Sequence, residues 1–446
     1  MASPTVLIIG CGVAGPVLAI LLKRNGYHPI VFEKVRELGN AGASLMVMSN
    51  GLKVFDLIGV ADAVKAESLP LTTLWDARAS GEVLGQSNLP STFAETYRQP
   101  ATGIKRTTLN LLLKKKVLEE GIEVREGWAL VDIQEHEDSV TATFSNGQSV
   151  TGSFLVGCDG IKSASRAILQ KQKGVEEGLP SYTGLTQVRP RQAGSHDGRA
   201  GYRMADRRDA QTAFLSETPA SLQGTAAMRN WYGDGVHVIA YPVGPKTTSW
   251  ALTQRETQER EETWRPFTAD EMDAQRDALC KLLDGWDASI AQGVRSAERI
   301  IKFGLFDREE LRPEEWFSRR CVLVGDAAHP TSPHLGQGAN QAMEDCYHLS
   351  IMLPNLSPDG QHEDDINQRL DLLRNNLAES VFRPFAEKRQ PRTSILVKGA
   401  RAVGEMRVAV GSEKGRERDE AVAKSYEGEA AAIVAKFENL LKQPFN

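Results

Sequence analysis

A short apolar segment near the start of the sequence is followed at once by a glycine-rich turn. Residues 6–9 (VLII) are long enough for one buried strand, residues 10–15 read GCGVAG, and an apolar helical pattern follows. A second apolar strand, residues 30–32, ends at the acidic residue Glu33. A strand, a glycine-rich turn, a helix and a second strand with an acidic end are typical of a Rossmann-type unit that binds a dinucleotide. The sequence therefore predicts an α/β fold with a parallel sheet.

The three glycines of this turn are predicted to have different functions. Gly10 permits the tight turn out of the strand, Gly12 lets the backbone approach a pyrophosphate, and Gly15 lets the helix pack closely on the strand. The helix N-terminus presents free N–H groups and the positive end of its dipole to the phosphates. Glu33 is expected to accept a hydrogen bond from a ribose hydroxyl, and its neighbour Lys34 is a further candidate contact.

The uncharged segment 6–22 has a second interpretation as a signal peptide or a membrane anchor. No basic residue precedes it, and three glycines and a proline interrupt it. It is also shorter than the roughly 20 apolar residues that a spanning helix needs. We therefore expect no spanning segment and a cytoplasmic location.

Composition and charge exclude several classes of partner. The chain has 446 residues, 41% of them hydrophobic and 25% charged, which suits a globular protein of one or two domains. A net charge of −5 gives no general attraction to nucleic acid or to anionic lipid. The five cysteines form no CxxC pair and no metal-ligand spacing, so we expect neither a metal site nor a disulfide framework.

The rest of the chain is divided by its periodicity. Helices are predicted at about residues 50–59, 107–120, 260–283, 364–407 and 413–441. Short strands are predicted over residues 122–149, with a hairpin turn at Ser145-Asn146-Gly147, and a separate sheet is predicted over 181–252.

Two later apolar strands also end in a glycine–acid pair. One is followed by Asp159-Gly160 and the other by Gly325-Asp326. In a parallel sheet the ligand lies outside the carboxyl ends of the strands, so three such ends can meet at one cofactor although they are distant in sequence. Taken singly, Asp159-Gly160 also fits an ordinary turn and Gly325-Asp326 also fits a helix cap.

With these motifs in this order, the sequence resembles the single-component (group A) FAD-dependent aromatic hydroxylases, whose fold is that of para-hydroxybenzoate hydroxylase. The nearer likeness is to the salicylate hydroxylase and zeaxanthin epoxidase-like branch. The resemblance extends from Thr5 to about Arg401. Residues 158–166 (CDGIKSASR) resemble the DG motif of that family, and residues 325–330 (GDAAHP) with 333–340 (PHLGQGAN) resemble its GD motif.

The resemblance implies a Rossmann-like FAD-binding domain of the GR2 type, an inserted β-sheet substrate domain and C-terminal helices. The expected division is a first part of the FAD-binding domain at residues 1–180, the substrate-binding sheet at 181–270, a second part of the FAD-binding domain with the GD motif at 271–362, and a helical region at 363–446.

The resemblance also assigns contacts to FAD. Asp326 would hydrogen-bond the ribityl chain, and the backbone N–H groups of residues 336–340 would face the N1/C2 edge of the flavin. Asp159 would serve both FAD and the approach of NADPH or NADH, and Arg106 would lie near the flavin. The candidate cofactor residues are Gly10, Gly12, Gly15, Glu33, Lys34, Arg106, Asp159, Gly160, Gly325, Asp326, Gly336, Gly338, Ala339 and Asn340.

The activity implied by the resemblance is monooxygenation. NAD(P)H and O2 would be used to hydroxylate or epoxidise an aromatic or polycyclic small molecule through a flavin C4a-hydroperoxide, in a monomer or a homodimer. A flavin-dependent reductase or dehydrogenase of the same fold and a non-catalytic binding protein of the same fold are the alternatives. Cofactor binding is favoured over the non-catalytic alternative because the sequence contains all four of the motif residues Gly12, Glu33, Asp159 and Asp326.

Four residues are candidates for contact with the reacting substrate. His237 and Tyr232 are expected on the substrate sheet, where they would position or deprotonate a phenol or else belong to an ordinary half-exposed strand. Pro333 and His334 belong to the GD motif, and His334 is either a polar wall of the site or a solvated loop residue. His329 is expected to have a structural, hydrogen-bonded role.

Two further groups of side chains are weaker candidates. Arg189, Arg191 and Arg203 could recognise a carboxylate by a bidentate contact. Trp231 and Trp250 are expected either to line an apolar pocket or to lie in the core of the sheet.

Overall fold

The computed structural model describes residues 3–37, 44–175, 181–182, 208–256, 268–357, 363–427 and 431–445. The strands are β1 (Thr5–Ile9), β2 (His28–Glu33), β3 (Ser44–Val47), β4 (Thr73–Arg78), β5 (Val83–Ser87), β6 (Thr102–Lys105), β7 (Glu123–Glu126), β8 (Leu130–Glu135), β9 (Val140–Phe144), β10 (Ser149–Gly152), β11 (Phe154–Gly157), β12 (Ser181–Tyr182), β13 (Arg208–Glu217), β14 (Ala227–Tyr232), β15 (Val236–Pro242), β16 (Thr247–Glu256), β17 (Ala297–Gly304), β18 (Phe306–Asp307) and β19 (Cys321–Leu323).

The helices are α1 (Ala14–Arg24), α2 (Ser49–Leu57), α3 (Ala61–Ala66), α4 (Phe93–Tyr97), α5 (Arg106–Glu119), α6 (Ala164–Gln172), α7 (Ala269–Leu282), α8 (Ala288–Arg295), α9 (Gly338–Met352), α10 (Glu363–Asn375), α11 (Arg383–Arg407), α12 (Ser412–Tyr426) and α13 (Ala431–Leu441). Short 3₁₀ turns include Gly325–Ala327 and Pro333–Leu335, and Ala378–Phe382 is a π-helical turn.

The first sheet is parallel and has the strand order β19-β11-β1-β2-β7. Its strands β1, β11 and β19 are almost wholly buried, which is why they appear in the sequence as unbroken apolar runs. The strands end in step: Cys158 N–H donates to Ile9 O over 2.8 Å, and Val324 N–H donates to Gly157 O over 2.9 Å. The turns that follow β1, β11 and β19 therefore lie side by side. The predicted Rossmann-like α/β fold is confirmed.

The second sheet has the order β17-β13-β16-β15-β14-β4-β5 and is antiparallel except where β14 pairs with β4. One face packs on α7 and α8, and Trp231 and Trp250 stack there with ring centroids 5.8 Å apart. Both tryptophans are fully buried in the core of the sheet, and Trp250 also borders the cavity described below. The opposite face has smaller and more polar side chains.

The second sheet takes strands from both sides of the predicted segment 181–270. Strands β4 and β5 precede it and β17 follows it. These strands are joined to the sheet by pairing with residues far away in the chain, such as Thr73 with Ala227. The local periodicity of a sequence does not show which distant strand will pair with a given strand. The division of the chain into four parts stays a prediction.

Several local predictions agree with the structure. The helices predicted at 50–59 and 107–120 correspond to α2 and α5, and the hairpin between β9 and β10 turns at Gly147, whose φ is +79°. The helix predicted at 260–283 begins only at Ala269 within the described residues, after a capping box between Thr268 and Glu271.

The helix predicted at 364–407 is wrong as a continuous element. The chain instead forms α10, a break at Asn376, a π-helical turn and α11. The side chain of Asn376 donates to Ser380 Oγ over 2.7 Å, a local hydrogen bond that competes with regular helix geometry. No helix in the described part of the chain is long and apolar enough to cross a membrane. The five cysteines are free thiols.

A buried ionic cluster joins α9, α11 and the turn after β19. Arg389 donates to Glu344 over 2.9 Å and to Asp345 over 2.6 Å, and all three side chains are buried. The other carboxylate oxygen of Asp345 accepts from Gly325 N–H over 2.9 Å and contacts His329 Nε2 at 2.5 Å. Burial alone would raise the pKa of Asp345, but His329 and Arg389 hold it below its usual value. The hydrogen bond of His329 agrees with its expected structural role.

Replacing Arg389 by methionine should strongly destabilise the fold, because buried Asp345 loses its guanidinium partner and buried Glu344 keeps only Arg392 as a cationic partner. We expect the free energy of unfolding to fall by about 3–5 kcal/mol. Arg416→Gln is the matched control, because it removes an exposed pair with Glu420 and should change stability by less than about 1 kcal/mol. Denaturant unfolding followed by circular dichroism measures both; equal midpoints would contradict the role of the cluster.

Candidate active site

A cavity of about 540 Å³ lies between the carboxyl ends of the parallel strands and the polar face of the second sheet. Most of the predicted cofactor residues line it, namely Gly10, Gly12, Glu33, Lys34, Arg106, Asp159, Gly160, Gly325, Asp326, Gly336, Gly338 and Ala339. The substrate candidates His237, Pro333 and His334 line it as well. Gly15, Asn340 and Tyr232 are not among its lining residues. The fold thus brings three distant motifs to one space.

The glycines after β1 differ in the reason why a side chain is excluded. Gly10 has φ +109°, and a Cβ on it would lie 2.5 Å from Cys158 O. A Cβ on Gly15 would lie 1.9 Å from Gly10 O, so this glycine permits the close packing of helix on strand, as predicted. A Cβ on Gly12 would meet no protein atom within 4 Å. The fold gives no steric reason for Gly12, whereas a pyrophosphate against the turn would give one.

Glu33 is held at the rim of the cavity by the backbone. Its two carboxylate oxygens accept from Cys11 N–H over 2.8 Å and from Val35 N–H over 3.0 Å. These bonds fix the orientation of the carboxylate across the end of β1, and each oxygen retains a second lone pair. This geometry fits the expected bond to a ribose hydroxyl.

The turn after β11 is organised by Asp159. Its carboxylate accepts from the Ser163 hydroxyl over 2.5 Å and from Ser165 N–H over 2.9 Å, at the start of α6. Burial raises the pKa of Asp159, although these hydrogen bonds act in the opposite direction. Gly160 follows with φ +76°. Asp159 therefore shapes the turn that borders the cavity.

The turn after β19 presents a carboxylate without a protein donor. Gly325 has φ +64°, and a Cβ there would lie 2.8 Å from Ala342 Cβ. Asp326 lines the cavity, and among the described residues none donates a hydrogen bond to its side chain. Burial raises the pKa of Asp326, while His329 and Arg106 lower it. An acceptor with free lone pairs at this position suits the hydroxyls of a ribityl chain.

The N-terminus of α9 also faces the cavity. Gly336 takes a left-handed conformation (φ +62°), and α9 begins at Gly338, so Gly338 and Ala339 border the cavity. The Asn340 side chain accepts from Met48 N–H over 3.0 Å and donates to Gly336 O over 2.8 Å. Asn340 thus supports the turn instead of lining the cavity. The positive end of the α9 dipole favours negative charge on a bound group.

His334 forms a wall of the cavity and is buried. Its backbone carbonyl accepts from Arg407 over 2.9 Å. Burial, with a contribution from the positive charge of Arg407, lowers the pKa of His334 to about 3, so the imidazole is neutral near neutral pH. The interpretation of His334 as a solvated loop residue is therefore wrong.

The face of the second sheet toward the cavity is built mainly by alternate residues along four strands, with Trp250 as an exception. Successive residues of a strand point to opposite faces, so every second residue lines the cavity. These residues are Gln211 and Ala213 of β13, Met228 of β14, His237, Ile239 and Tyr241 of β15, and Ser249, Ala251 and Thr253 of β16. The middle of this face has the small side chains of Ala213 and Ala251, which pair directly across the strands.

His237 and Tyr232 are neighbours with different environments. His237 lines the cavity, and its Nε2 lies 3.1 Å from Asn230 Oδ1. Tyr232 donates its hydroxyl to Asp76 over 2.7 Å, and burial raises its pKa well above the usual value. The hydroxyl of Tyr426 also donates to Asp76. Tyr232 pairs directly with His237 and lies on the same face of the sheet, but its hydroxyl is bonded to Asp76 and it is not among the residues that line the cavity. Contact of Tyr232 with substrate stays a prediction. The parallel pairing of β4 with β14, which brings Asp76 there, was not visible in the sequence.

Several residues that line the cavity were not among the candidates predicted from the sequence. Tyr241 makes a 2.7 Å hydrogen bond with Ser44, and Arg407 reaches the cavity from the end of α11. Phe437 and Leu440 of α13 close another side. Every second residue of a strand faces the same side, so the position of Tyr241 four residues after His237 on β15 could have been used to predict it. No local pattern in the sequence indicates that α11 or α13 lies at the cavity. Arg189, Arg191 and Arg203 lie outside the described residues.

The C-terminal end of α13 is held by cations of the main fold. Lys53 donates to Leu441 O and to Lys442 O, each over 2.8 Å, and Arg392 donates to Leu440 O over 3.3 Å. Carbonyls at a helix C-terminus have no partner within the helix, so cations stabilise them. These bonds keep Phe437 and Leu440 at the cavity.

The fold and the lined cavity define a Rossmann-like protein for a dinucleotide cofactor. Residues 3–362 match the family described as FAD binding domain. The chain belongs to this family, and FAD is its cofactor.

Characterised relatives cover most of the chain. It is 30% identical over 354 residues to 3-amino-4-hydroxybenzoate 2-monooxygenase PtmB3 of Streptomyces platensis, which is 78% of this chain and 79% of that protein. It is 28% identical over 351 residues to 3-hydroxybenzoate 6-hydroxylase 1 of Aquipseudomonas alcaligenes, covering 78% and 80%. Its fold matches that of Klebsiella pneumoniae HpxO, solved with FAD and uric acid, with a TM-score of 0.76 at 21% identity over 98% of this chain and 96% of that one. The protein is an FAD-dependent monooxygenase of group A, as the resemblance implied.

Two glycine variants should separate the requirements of the fold from those of FAD. Gly15→Ala should lower the melting temperature with or without FAD, because its Cβ would overlap Gly10 O. Gly12→Ala should melt like the wild-type apoprotein and bind FAD at least about tenfold more weakly, because its methyl group enters cofactor space only. Thermal melts of apoprotein and titration with FAD measure both effects. Normal FAD affinity in Gly12→Ala would contradict the assignment.

Proposed function

We propose that this monooxygenase hydroxylates an aromatic ring of a small molecule, with NADH or NADPH as reductant and O2 as the source of oxygen. The proposal rests on the observation that one continuous cavity is lined on one side by the three motif turns and on the other side by the polar face of the second sheet. Relatives named for 3-amino-4-hydroxybenzoate and 3-hydroxybenzoate support an aromatic substrate.

In this proposal the residues of the three turns each hold one part of FAD. Gly12 and the N-terminus of α1 approach the diphosphate, and Glu33 accepts from the adenosine ribose. Asp326 accepts from the ribityl hydroxyls, and the N-terminus of α9 stabilises negative charge at the N1/C2 edge. Bound FAD supplies hydride acceptance from NAD(P)H and activation of O2. The open space at Gly12 and the donor-free carboxylate of Asp326 support this arrangement.

The second sheet is proposed to hold the substrate. Ala213 and Ala251 leave room for a flat ring between the polar side chains of His237 and Tyr241. Neutral His334 forms the wall that continues from the GD motif, and Phe437 and Leu440 help to exclude water. Exclusion of water matters because it limits the loss of activated oxygen as hydrogen peroxide.

Three further properties of the protein are predicted from the sequence alone. These are a cytoplasmic location, a monomeric or homodimeric state, and a contact of Asp159 with the approaching NAD(P)H.

The reaction class is tested with isotopically labelled oxygen. FAD-loaded protein is incubated with NADH or NADPH under oxygen-18 gas and a panel of phenols and aminophenols that includes 3-hydroxybenzoate. We expect mass spectrometry to detect one labelled oxygen atom in the product, with protein stripped of FAD as the control. Reduction of a substrate double bond without label would support the reductase, and consumption of NAD(P)H that yields only hydrogen peroxide with every compound would count against the aromatic substrate class.

A bulky substitution on the face of the second sheet tests whether the aromatic ring of the substrate binds there. Ala251→Leu adds bulk to the middle of the sheet face, so the KM for the aromatic substrate should rise by at least about tenfold while FAD affinity stays unchanged. Ile239→Leu, which conserves volume on the neighbouring strand, is the matched control and should change KM little. Steady-state kinetics and FAD titration measure both; an unchanged KM in Ala251→Leu would exclude this face as the ring site.

A further inference from the structure

We propose that Arg407 and Asn230 fix which nitrogen of His237 carries its proton, so that the substrate must offer a hydrogen-bond donor, a hydroxyl or an N–H group, to His237. Asn230 and Arg407 are thus positioning residues that act through His237. The inference rests on the proposed function of the same cavity, since it assumes that the substrate contacts this face of the second sheet.

The amide of Asn230 has one orientation because of Arg407. The guanidinium at the end of α11 donates to His334 O over 2.9 Å and to Asn230 Oδ1 over 3.4 Å. A guanidinium has only donors, so it must face the amide oxygen and not the amide nitrogen. Arg407 therefore determines that the oxygen of Asn230 points toward the space shared with His237.

The orientation of Asn230 in turn determines the tautomer of His237. Asn230 Oδ1 lies 3.1 Å from His237 Nε2, and an amide oxygen only accepts. Nε2 must therefore carry the proton, and Nδ1 is left as an acceptor. Burial lowers the pKa of His237 well below its usual value, and the neighbouring Arg407, His334 and Arg418 lower it further. The ring is thus neutral, with a lone pair on Nδ1.

That lone pair has no partner in the described protein. Nδ1 of His237 is buried without a hydrogen bond, although the side chain lines the cavity. A buried acceptor without a donor is unfavourable, and a ligand that supplies the donor removes this cost. The phenolic hydroxyl or the ring N–H of an aromatic substrate has the required chemistry. A carboxylate at the same position would face the lone pair and be repelled.

The neighbours of His237 on the same sheet face are also uncharged. Thr253 pairs directly with His237 across β15 and β16, and Gln211 pairs with Thr253 across β16 and β13. Gln211 Nε2 lies 3.5 Å from Thr253 Oγ1. These three side chains form a neutral polar row that suits hydroxyl, carbonyl or amide groups at one edge of a ring.

The tautomer can be read directly by NMR of FAD-loaded protein containing ¹⁵N-labelled histidine. His237→Gln assigns the signal by its disappearance. Between pH 6 and 8 we expect a neutral His237 with protonated Nε2 and free Nδ1. In Asn230→Leu both tautomers should appear, whereas Asn230→Asp should keep the Nε2 proton and raise the pKa of the ring, because a carboxylate still accepts but adds negative charge. A wild-type signal from an Nδ1-protonated or charged ring would overturn the proposal.

The donor requirement is tested by binding. The probes are 3-hydroxybenzoate and 3-methoxybenzoate, which lacks the donor, and perturbation of flavin absorbance gives their Kd values. We expect the wild type to bind the hydroxyl compound at least about tenfold more tightly and Asn230→Leu to lose this preference. Equal affinities in the wild type would overturn the donor requirement. Binding of neither probe, with the expected NMR result, would count against the proposed aromatic substrate and not against the tautomer.

Discussion

The side-by-side pairing of β1, β11 and β19 is the constraint on which the site depends. Backbone hydrogen bonds join the end of each strand to the next, from Cys158 to Ile9 and from Val324 to Gly157. Because the three strands are parallel and in step, the turns that follow them open at the same edge of the sheet. A slip of one residue would turn the acidic side chains of these turns away from the cavity.

Helix α11 connects the two halves of the cavity. Near its start, Arg389 holds Asp345, which in turn binds the backbone of Gly325 in the cofactor turn. At its end, Arg407 holds the backbone of His334 and the amide of Asn230 on the substrate sheet. One helix therefore contacts both the residues that hold the cofactor turn and the polar edge of the substrate site. The cost of burying Arg389 is offset by its two carboxylate partners.

Residues whose function is local could be predicted from the sequence, and residues whose function depends on distant pairing could not. The glycine turn and the two glycine–acid pairs are short motifs with backbone requirements of their own, so Gly10 and Gly15 were recognised for the reasons that the structure shows. Gly325 was recognised as part of its motif, but its positive φ and its close approach to Ala342 were not predicted. Tyr232 has the right residue type on a neighbouring strand, but its hydroxyl is taken by Asp76 from a strand far away in the chain. No sequence pattern around Arg407 predicts its role, because its contacts form only when α11 packs across the sheet.

A crystal structure of the purified protein with its bound flavin tests the central claim most directly. We expect the diphosphate against Gly12, the ribityl chain within hydrogen-bond distance of Asp326, and the isoalloxazine ring between the start of α9 and the face that holds His237. Flavin bound elsewhere on the molecule, or a protein that takes up no FAD although its three turns are arranged as described, would contradict the account.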